Sequence, residues 1–287
     1  MILSKPLWLK KRMTVTPAYR RVSNILRHTG QLTVCETSGC PNRIECFNRG
    51  TATFQILGNV CSRDCRYCAI PSGVPMPPDD REPARIARIA GRLSLKHVVV
   101  TSVTRDDLPD GGAGHFVRTI REIRRLSPQI TVEVLIPDFS GNHESLFRVV
   151  DEDPDVIAHN VETVPGLYGR VRPRADFERS CALLDAARKK NAGALTKSGF
   201  MLGLGEKDEE VCDLLQKLHD VSCDIVTIGQ YLAPTKNHME VSRYVPPEEF
   251  RRWRLIAESI GFKHVFAGVY QRSSLYAGSV FQSLVTG

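Results

Sequence analysis

From residue 53 onward the sequence swings between two periodicities, and that swing constrains the fold more than any other feature. Apolar, β-branched runs read as strands: "TFQILGNV" (53–60), "HVVVTSV" (97–103), "TVEVLIPD" (131–138), "DVIAHNVE" (155–162), "TKSGFMLGLG" (196–205), "DIVTIGQYL" (224–232) and a shorter "HVFAGVY" (264–270). Between them, charged and apolar residues recur at helical spacing, as in "GHFVRTIREIRRL" (114–126) and "EEVCDLLQKLHDV" (209–221). Strands separated by helices imply βαβ units on a parallel sheet. Six such units are too few to close an eight-stranded barrel, so the expected α/β fold is a partial barrel or an open sheet.

In barrels of this kind active sites sit at the carboxyl ends of the strands. Here those ends read "TSVTRDD" (101–107), "IPDFSG" (136–141), "HNVET" (159–163), "GLGE" (203–206) and "GQY" (229–231). Each apolar run stops abruptly in groups that hydrogen-bond or carry charge. Loop capping explains any one of them and explains the recurrence poorly.

The first run leads straight into "CSRDCRYC" (61–68), which places Cys61, Cys65 and Cys68 in a loop at that same strand end. Three cysteines are one short of a closed tetrahedral zinc site, and the spacing leaves room for a distant fourth ligand. A cubic [4Fe–4S] cluster is the other reading. Held by three thiolates it keeps one iron open to a small molecule. Just upstream, "CETSGCPNRIEC" (35–46) supplies a second set of three, Cys35, Cys40 and Cys46. Either a structural zinc completed by a residue such as His28 or a second cluster with a remote fourth ligand fits that spacing.

The remaining cysteines, Cys181, Cys212 and Cys223, are scattered and are given no role. An odd total of nine, without a signal peptide, fits a reducing compartment and metal ligation better than disulfides. No run approaches the roughly 18 apolar residues of a membrane helix. Lys5, Lys10, Lys11, Arg12, Arg20, Arg21 and Arg27 precede the first acidic residue, Glu36, and account for the whole formal net charge of +7. Such an arm suits an acidic partner, or is a solvated tail. Nucleic-acid binding is disfavoured because only Trp8 and Tyr19 interleave its charges with aromatics.

The CxxxCxxC spacing, with the aromatic Tyr67 before its last cysteine, resembles the radical S-adenosylmethionine (radical SAM) enzymes over roughly residues 51–270. Within them the chain resembles the lipoyl synthase family. The resemblance is carried by "KPLWLKKR" (5–12), "CPNRIECFNRGTATFQILGNVCSRDCRYC" (40–68), "VVVTSVTRDDLPDGGAGHF" (98–116) and "EVLIPDFSG" (133–141). It continues in "HNVETVP" (159–165), "TKSGFMLGLGE" (196–206), "IGQYLAPTKNHMEV" (228–241) and "RSSLYA" (272–277).

The resemblance implies a partial (β/α)6 TIM-like barrel of radical SAM type over 51–270. An amino-terminal extension (1–50) and a carboxyl-terminal tail (271–287) carry an auxiliary cluster. It implies two [4Fe–4S] clusters: one on Cys61, Cys65 and Cys68 that binds SAM, another on Cys35, Cys40 and Cys46. The second cluster's fourth ligand is a serine of the Arg272–Ser273–Ser274 motif, Ser274 in first place and Ser273 in reserve. Tyr67, Thr101, Ser102, Asp106, Asn160, Glu162 and Lys197 are the expected contacts of SAM.

The implied reaction inserts two sulfur atoms at C6 and C8 of an octanoyl chain, using two SAM and the second cluster as sulfur donor. The chain's carrier is a lipoyl carrier protein or domain, a dehydrogenase E2 subunit or the glycine cleavage H protein. An electron donor and an iron–sulfur carrier are further implied partners, nucleic acid and membrane are not, and the expected location is the cytoplasm. Three positions depart from the family pattern. Leu275 stands where tyrosine is usual, Gly166 where arginine is, and "AGVYQ" (267–271) precedes the serine motif in place of Gly-Pro.

Overall fold

The apolar runs form seven strands in a computed structural model that describes residues 4–11, 13–278 and 281. They are β1 (Thr53–Ile56), β2 (His97–Ser102), β3 (Thr131–Leu135), β4 (Val156–Ala158), β5 (Leu195–Leu202), β6 (Ile225–Gln230) and β7 (His264–Gly268). Strand order follows chain order. The registered neighbours are parallel, with Val100 between Phe54 and Val134, and Ile228 between Phe200 and Ala267. The α/β architecture read from the sequence is the one observed. Each strand stops short of the end of its apolar run, so most of the polar residues at the carboxyl ends lie in loops, while Thr101, Ser102 and Gln230 close their strands.

The helices are α1 (Pro17–Thr29), α2 (Val34–Thr37), α3 (Arg43–Asn48), α4 (Glu82–Arg92), α5 (Ala113–Leu126), α6 (His143–Val150), α7 (Tyr168–Val171), α8 (Phe177–Lys190), α9 (Asp208–Asp220) and α10 (Pro247–Ile260). Their ends follow local chemistry. Thr16 accepts from the Tyr19 amide ahead of Pro17, Asn142 caps α6 through Ser145 and Asp176 caps α8 through Arg179. None of the described helices is long and apolar enough to cross a membrane.

The chain folds as two compact units. One holds residues 13–62, 70–157 and the tail from 274, and the other holds 4–11, 63–69 and 158–273. In the first, alternate strand residues Phe54, Ile56, Val98, Val100, Val132 and Val134 are wholly buried apolar groups. The opposite alternation, Thr53, Gln55, Thr101 and Glu133, is buried too, yet polar. In the second unit Phe200, Leu202, Val226, Ile228 and Val265 enter a core with Leu214, Phe250 and Trp253. Their alternates Lys197 and Thr227 are again polar and buried. Each unit therefore has a sheet face with polar side chains shut away from water.

One close approach in the first unit sets the path out of β1. Leu57, at φ +68°, turns sharply, and a Cβ on Gly112 (φ +91°) would stand 2.3 Å from Leu57 Cδ1. Gly112→Ala is expected to lower the unfolding free energy by about 1–3 kcal/mol through backbone strain and this clash. Denaturant titration of the purified protein checks it, and an unchanged midpoint would show that the contact yields.

Candidate functional site

None of the nine cysteines forms a disulfide among the described residues. The first triad is built on short elements of the first unit: Cys35 within α2, Cys40 in the turn that follows, Cys46 within α3. The turn closes through Cys40 N donating to Cys35 O (3.2 Å) and Arg43 N donating to Cys40 O (3.2 Å). Helices this short do not hold themselves. α3 is held by α1, whose Tyr19 ring lies 5.4 Å from Phe47, and by Asn48, which accepts from Thr16 Oγ1 at 2.7 Å and donates to Thr14 O at 2.7 Å. α2 is held by β1: Thr33 bridges Phe54, and the Cys35 thiol meets the backbone and hydroxyl of Thr53. Burial pushes the Cys35 thiol up to about 11; the Thr53 bonds act against that and the nearby Cys40 adds to it.

The second triad begins in the same unit. Cys61 N donates to Pro71 O (2.8 Å) and Gly73 N donates to Cys61 O (3.0 Å). Ser62 Oγ donates to Thr104 O (3.0 Å) and accepts from the Asp106 amide (3.0 Å), while Ser140 Oγ donates to Asp106 (2.9 Å). Asp106 therefore ties together the loops after β1, β2 and β3. Thr101 Oγ1 donates to Leu135 O at 3.0 Å. Ser102 Oγ is buried without a hydrogen-bond partner.

Cys65 and Cys68 belong to the second unit. Their turn is closed by Cys68 N donating to Cys65 O (3.0 Å) and anchored by Arg66 N to Val171 O (2.8 Å) and Met239 N to Arg66 O (3.0 Å). His238 donates through Nε2 to the Cys68 carbonyl (3.0 Å), its Nδ1 paired with Thr235 Oγ1 at 2.8 Å. Beside this turn lies a half-buried charged cluster around the buried Arg172. Glu162, at φ +67°, bonds the Tyr67 hydroxyl and Asn160 and faces Arg172 and Arg272. Arg172 donates to the carbonyls of Asn160 (2.9 Å) and Val161 (3.1 Å) and lies 5.2 Å from the centroid of the Tyr168 ring. Burial raises the Glu162 carboxyl above its ordinary value; Arg172 first, then Asn160 and Tyr67, hold it back. Burial, with the Glu162 and Cys65 charges, keeps the Tyr67 phenol protonated.

The structure thus brings Tyr67, Asn160 and Glu162 together beside Cys65 and Cys68, and places Ser102, Thr101 and Asp106 with the loops around Cys61. Lys197 is buried on β5, its carbonyl accepting from His159 N at 2.9 Å. The "GLGE" turn serves itself: Glu206 accepts from the amides of Gly203, Leu204 and Gly205. Arg172 and His238 were not singled out by sequence reasoning. A lone Arg after "YGRV" carries no spacing signal, and His238 was visible only as part of a resembling stretch. Ser273 Oγ is buried without a partner, and Ser274 begins the tail segment of the first unit. Leu275 fills a buried position, and Tyr276 lies under the Arg49 guanidinium at 4.3 Å. A side chain at Gly166 would meet Glu210 Oε1 at 2.8 Å.

Among the described residues no three His, Cys, Asp or Glu side chains converge on one mononuclear metal position. A cubic cluster asks for something else, one thiolate on each of several irons. Two sets of three half-buried or buried cysteines supply that donor chemistry. The buried Ser102 Oγ and Asn160 Oδ1, each without a partner, sit where a polar ligand would satisfy them.

The radical SAM superfamily pattern matches residues 56–218. The lipoyl synthase of Caldanaerobacter subterraneus subsp. tengcongensis is 53% identical over 277 residues, covering 96% of this chain and 97% of that protein. The lipoyl synthase of Chlorobium phaeovibrioides is 51% identical over 278 residues, covering 96% and 98%. Among solved structures, methylornithine synthase is similar with a TM-score of 0.54 at 13% identity, over 77% of this chain and 72% of that one. Streptococcus suis SuiB bound to S-adenosylmethionine is similar with a TM-score of 0.57 at 11% identity, over 79% and 54%. At such identities the structural likeness is one of fold.

Arg172→Met leaves the half-buried Glu162 without its principal cation, with Arg272 remaining, at an expected cost of about 1–3 kcal/mol in unfolding free energy at neutral pH. The penalty belongs to the ionised carboxylate, whose folded pKa lies above its unfolded value. It is therefore full above the folded pKa and shrinks as pH falls toward the unfolded value of 4.5. Adding Glu162→Gln should recover part of the loss. Denaturant titrations across pH on the four proteins of the cycle check this; additive effects would dissolve the pair.

Proposed function

The chain belongs to the lipoyl synthase family of the radical SAM superfamily, and from that membership we propose how its two cysteine triads divide the work. The protein is a radical SAM sulfur-inserting enzyme. In this reading its substrate is an octanoyl chain held in amide linkage on a lipoyl carrier protein or domain, a dehydrogenase E2 subunit or a glycine cleavage H protein. Cys61, Cys65 and Cys68 hold the [4Fe–4S] cluster that binds SAM. Cys35, Cys40 and Cys46 hold a second cluster, consumed as the co-substrate that gives its sulfides to C6 and C8. The observation that supports this division is the pair of cysteine triads, each one ligand short of four, one set against β1 through Cys35 and Thr53 and the other entered from the end of β1 at Cys61.

Carbons 6 and 8 are saturated, so no acid or base of the chain can activate them. When bound, the reduced cluster and SAM supply a carbon-centred radical able to take hydrogen from such positions, and two SAM are used per lipoyl group. The chain's own residues bind, orient and exclude water. Asn160 and Glu162 are the proposed partners of the SAM ribose hydroxyls, and Arg172 and Tyr67 fix the Glu162 carboxylate for that task. Ser102, with Thr101 and Asp106, is proposed at the methionine portion, and Lys197 at its carboxylate. His238 holds the carbonyl of Cys68 and so the turn that presents two of the three thiolates.

The second cluster's remaining ligand is proposed to be a hydroxyl of the Arg272–Ser273–Ser274 motif. An oxygen is a poorer match to iron–sulfur chemistry than a thiolate, and that corner is the easiest to open when sulfur leaves. Ser274, in the same unit as the triad, is the first choice. The buried, unpartnered Oγ of Ser273 makes it the competitor. An external electron donor, an iron–sulfur carrier that rebuilds the spent cluster and a cytoplasmic location complete the proposal.

Anaerobic turnover with octanoylated carrier peptide, SAM and a reductant tests it. Replacing Cys35, Cys40 and Cys46 by Ala should leave SAM cleavage and abolish sulfur insertion; replacing Cys61, Cys65 and Cys68 should abolish both. Sulfur insertion by the first triple variant would refute the donor assignment. Wild-type protein should carry about eight irons, and of Ser274→Ala and Ser273→Ala the one that removes the ligand should lower that count.

The basic arm is proposed to steer an acidic carrier protein. Its short turn at Leu7–Leu9 buries Leu9 and exposes Leu7 and Trp8 beside Lys5 and Lys10. Raising salt should then raise KM for intact carrier protein more than for a short octanoyl peptide. Equal responses would make the arm a solvated tail.

A further inference from the structure

One side chain touches both cysteine-bearing segments that β1 carries. Gln55 is 2% exposed. Its Oε1 accepts from Thr37 Oγ1 at 2.6 Å, and its Nε2 donates to the carbonyl of Gly58 at 2.8 Å. Thr37 ends α2, two positions after Cys35, and Gly58 stands three positions before Cys61. The backbone is fastened at the same residue, Gln55 N donating to Leu32 O (3.0 Å) and Gln55 O accepting from Gln31 Nε2 (3.0 Å). The two ends of the amide meet partners of opposite character, a hydroxyl donor and a carbonyl acceptor, which fixes its orientation.

The plain alternative is a buried amide that merely satisfies itself. Phe54 and Ile56 pack on the other face of β1, so nothing in the apolar packing of that strand asks for glutamine at position 55. The next residue points the same way. Leu57 is held in its left-handed turn by Glu82 Oε2 on its N–H (2.9 Å) and Arg105 Nη1 on its carbonyl (3.3 Å). The path from β1 into Cys61 is thus set by side chains from outside the strand.

We propose that Gln55 is a positioning residue that fixes the spacing between Cys35 and Cys61, one cysteine of each triad. It sets α2, and with it Cys35, against the loop that enters Cys61. The functional consequence rests on the two-cluster reading above. Sulfur has to reach a carbon radical made at the other site, and a misplacement on the order of 1 Å lets the radical be made without being captured. Gln55 touches neither substrate nor cofactor.

Three variants separate its contacts. Thr37→Val removes the bond to α2, Gln55→Glu keeps an acceptor for Thr37 and loses the donor to Gly58, and Gln55→Leu removes both. In the metal-free protein, amide hydrogen exchange should quicken roughly tenfold over residues 34–40 in Thr37→Val, over 57–61 in Gln55→Glu, and over both in Gln55→Leu. In the iron-loaded protein, Gln55→Leu should raise the ratio of 5′-deoxyadenosine to disulfur product several-fold, with iron content and SAM affinity held. Unchanged exchange, or quickened exchange with a wild-type ratio, overturns the proposal. Should Gln55→Leu fail to fold, the two milder variants carry the same comparison. A wild-type protein that cleaves SAM without inserting sulfur overturns the reading of function instead, and the exchange pattern then decides on Gln55 by itself.

Discussion

Strands buried on both sides cannot turn their polar side chains to water, and much of this structure answers that constraint. In the first unit Gln55 takes Thr37 and Gly58, Thr101 takes the carbonyl of Leu135, and His97 takes Thr131 and stands 3.4 Å from Glu133. In the second, Thr227 donates to the carbonyl of Ser198. Most of these bonds run from strand to loop or strand to strand, so satisfying the polar face also fixes what lies around it. Of the described side-chain oxygens left over, Ser102 Oγ and Asn160 Oδ1 lie at strand ends, whereas Ser198 Oγ lies within β5. An unpaired buried oxygen costs about 1–3 kcal/mol, a cost that a bound polar ligand removes.

The same economy shapes the loops. Leu57, directly after β1, and Glu162, four residues past the end of β4, are both non-glycine residues at positive φ, and each is pinned by bonds to its own backbone. Leu57 is held by Glu82 and Arg105. Glu162 donates its amide to the carbonyl of Gly199 and its carbonyl accepts from Met201, both at 2.9 Å. Such backbone conformations cost of order 1–3 kcal/mol and persist only where the surroundings over-determine them. Here the first aims the chain at Cys61 and the second turns a carboxylate toward Tyr67 and Arg172. Glu82 is itself buried and bonded to His115 Nε2 at 2.9 Å, so the clamp on Leu57 reaches back into α4 and α5.

The sequence disclosed what depends on periodicity and on residue type. The alternation of runs placed all seven strands, and the cysteine spacing picked out both triads. It did not disclose what depends on long-range meeting of ordinary residues. Arg172 serves Glu162 because the turn of α7 brings it there, and His238 serves Cys68 across 170 positions of chain. Gln55 read as one polar residue in a strand. The "GLGE" turn read as one more polar strand end, whereas Glu206 closes it on itself with its own carboxylate. A gap between a strand and its apolar run was equally hidden, since residues such as Val103 and Ile136 remain buried after the ladder has ended.

The departures from the family pattern acquire a local logic. Leu275, where tyrosine is usual, is a buried apolar residue, and the aromatic ring appears one position later. Tyr276 reaches Arg49 because its backbone is left-handed, φ +58°, which swings the side chain out of the direction Leu275 takes. Arg49 caps α3, three residues after Cys46, so this ring rests on the end of the helix that presents a cysteine of the first triad. Farther along, Gly278 lies against His97 and the Phe281 ring is 5.8 Å from it, which fastens the tail to the start of β2. The tail is thus fastened at both Arg49 and His97 without requiring tyrosine in its usual place.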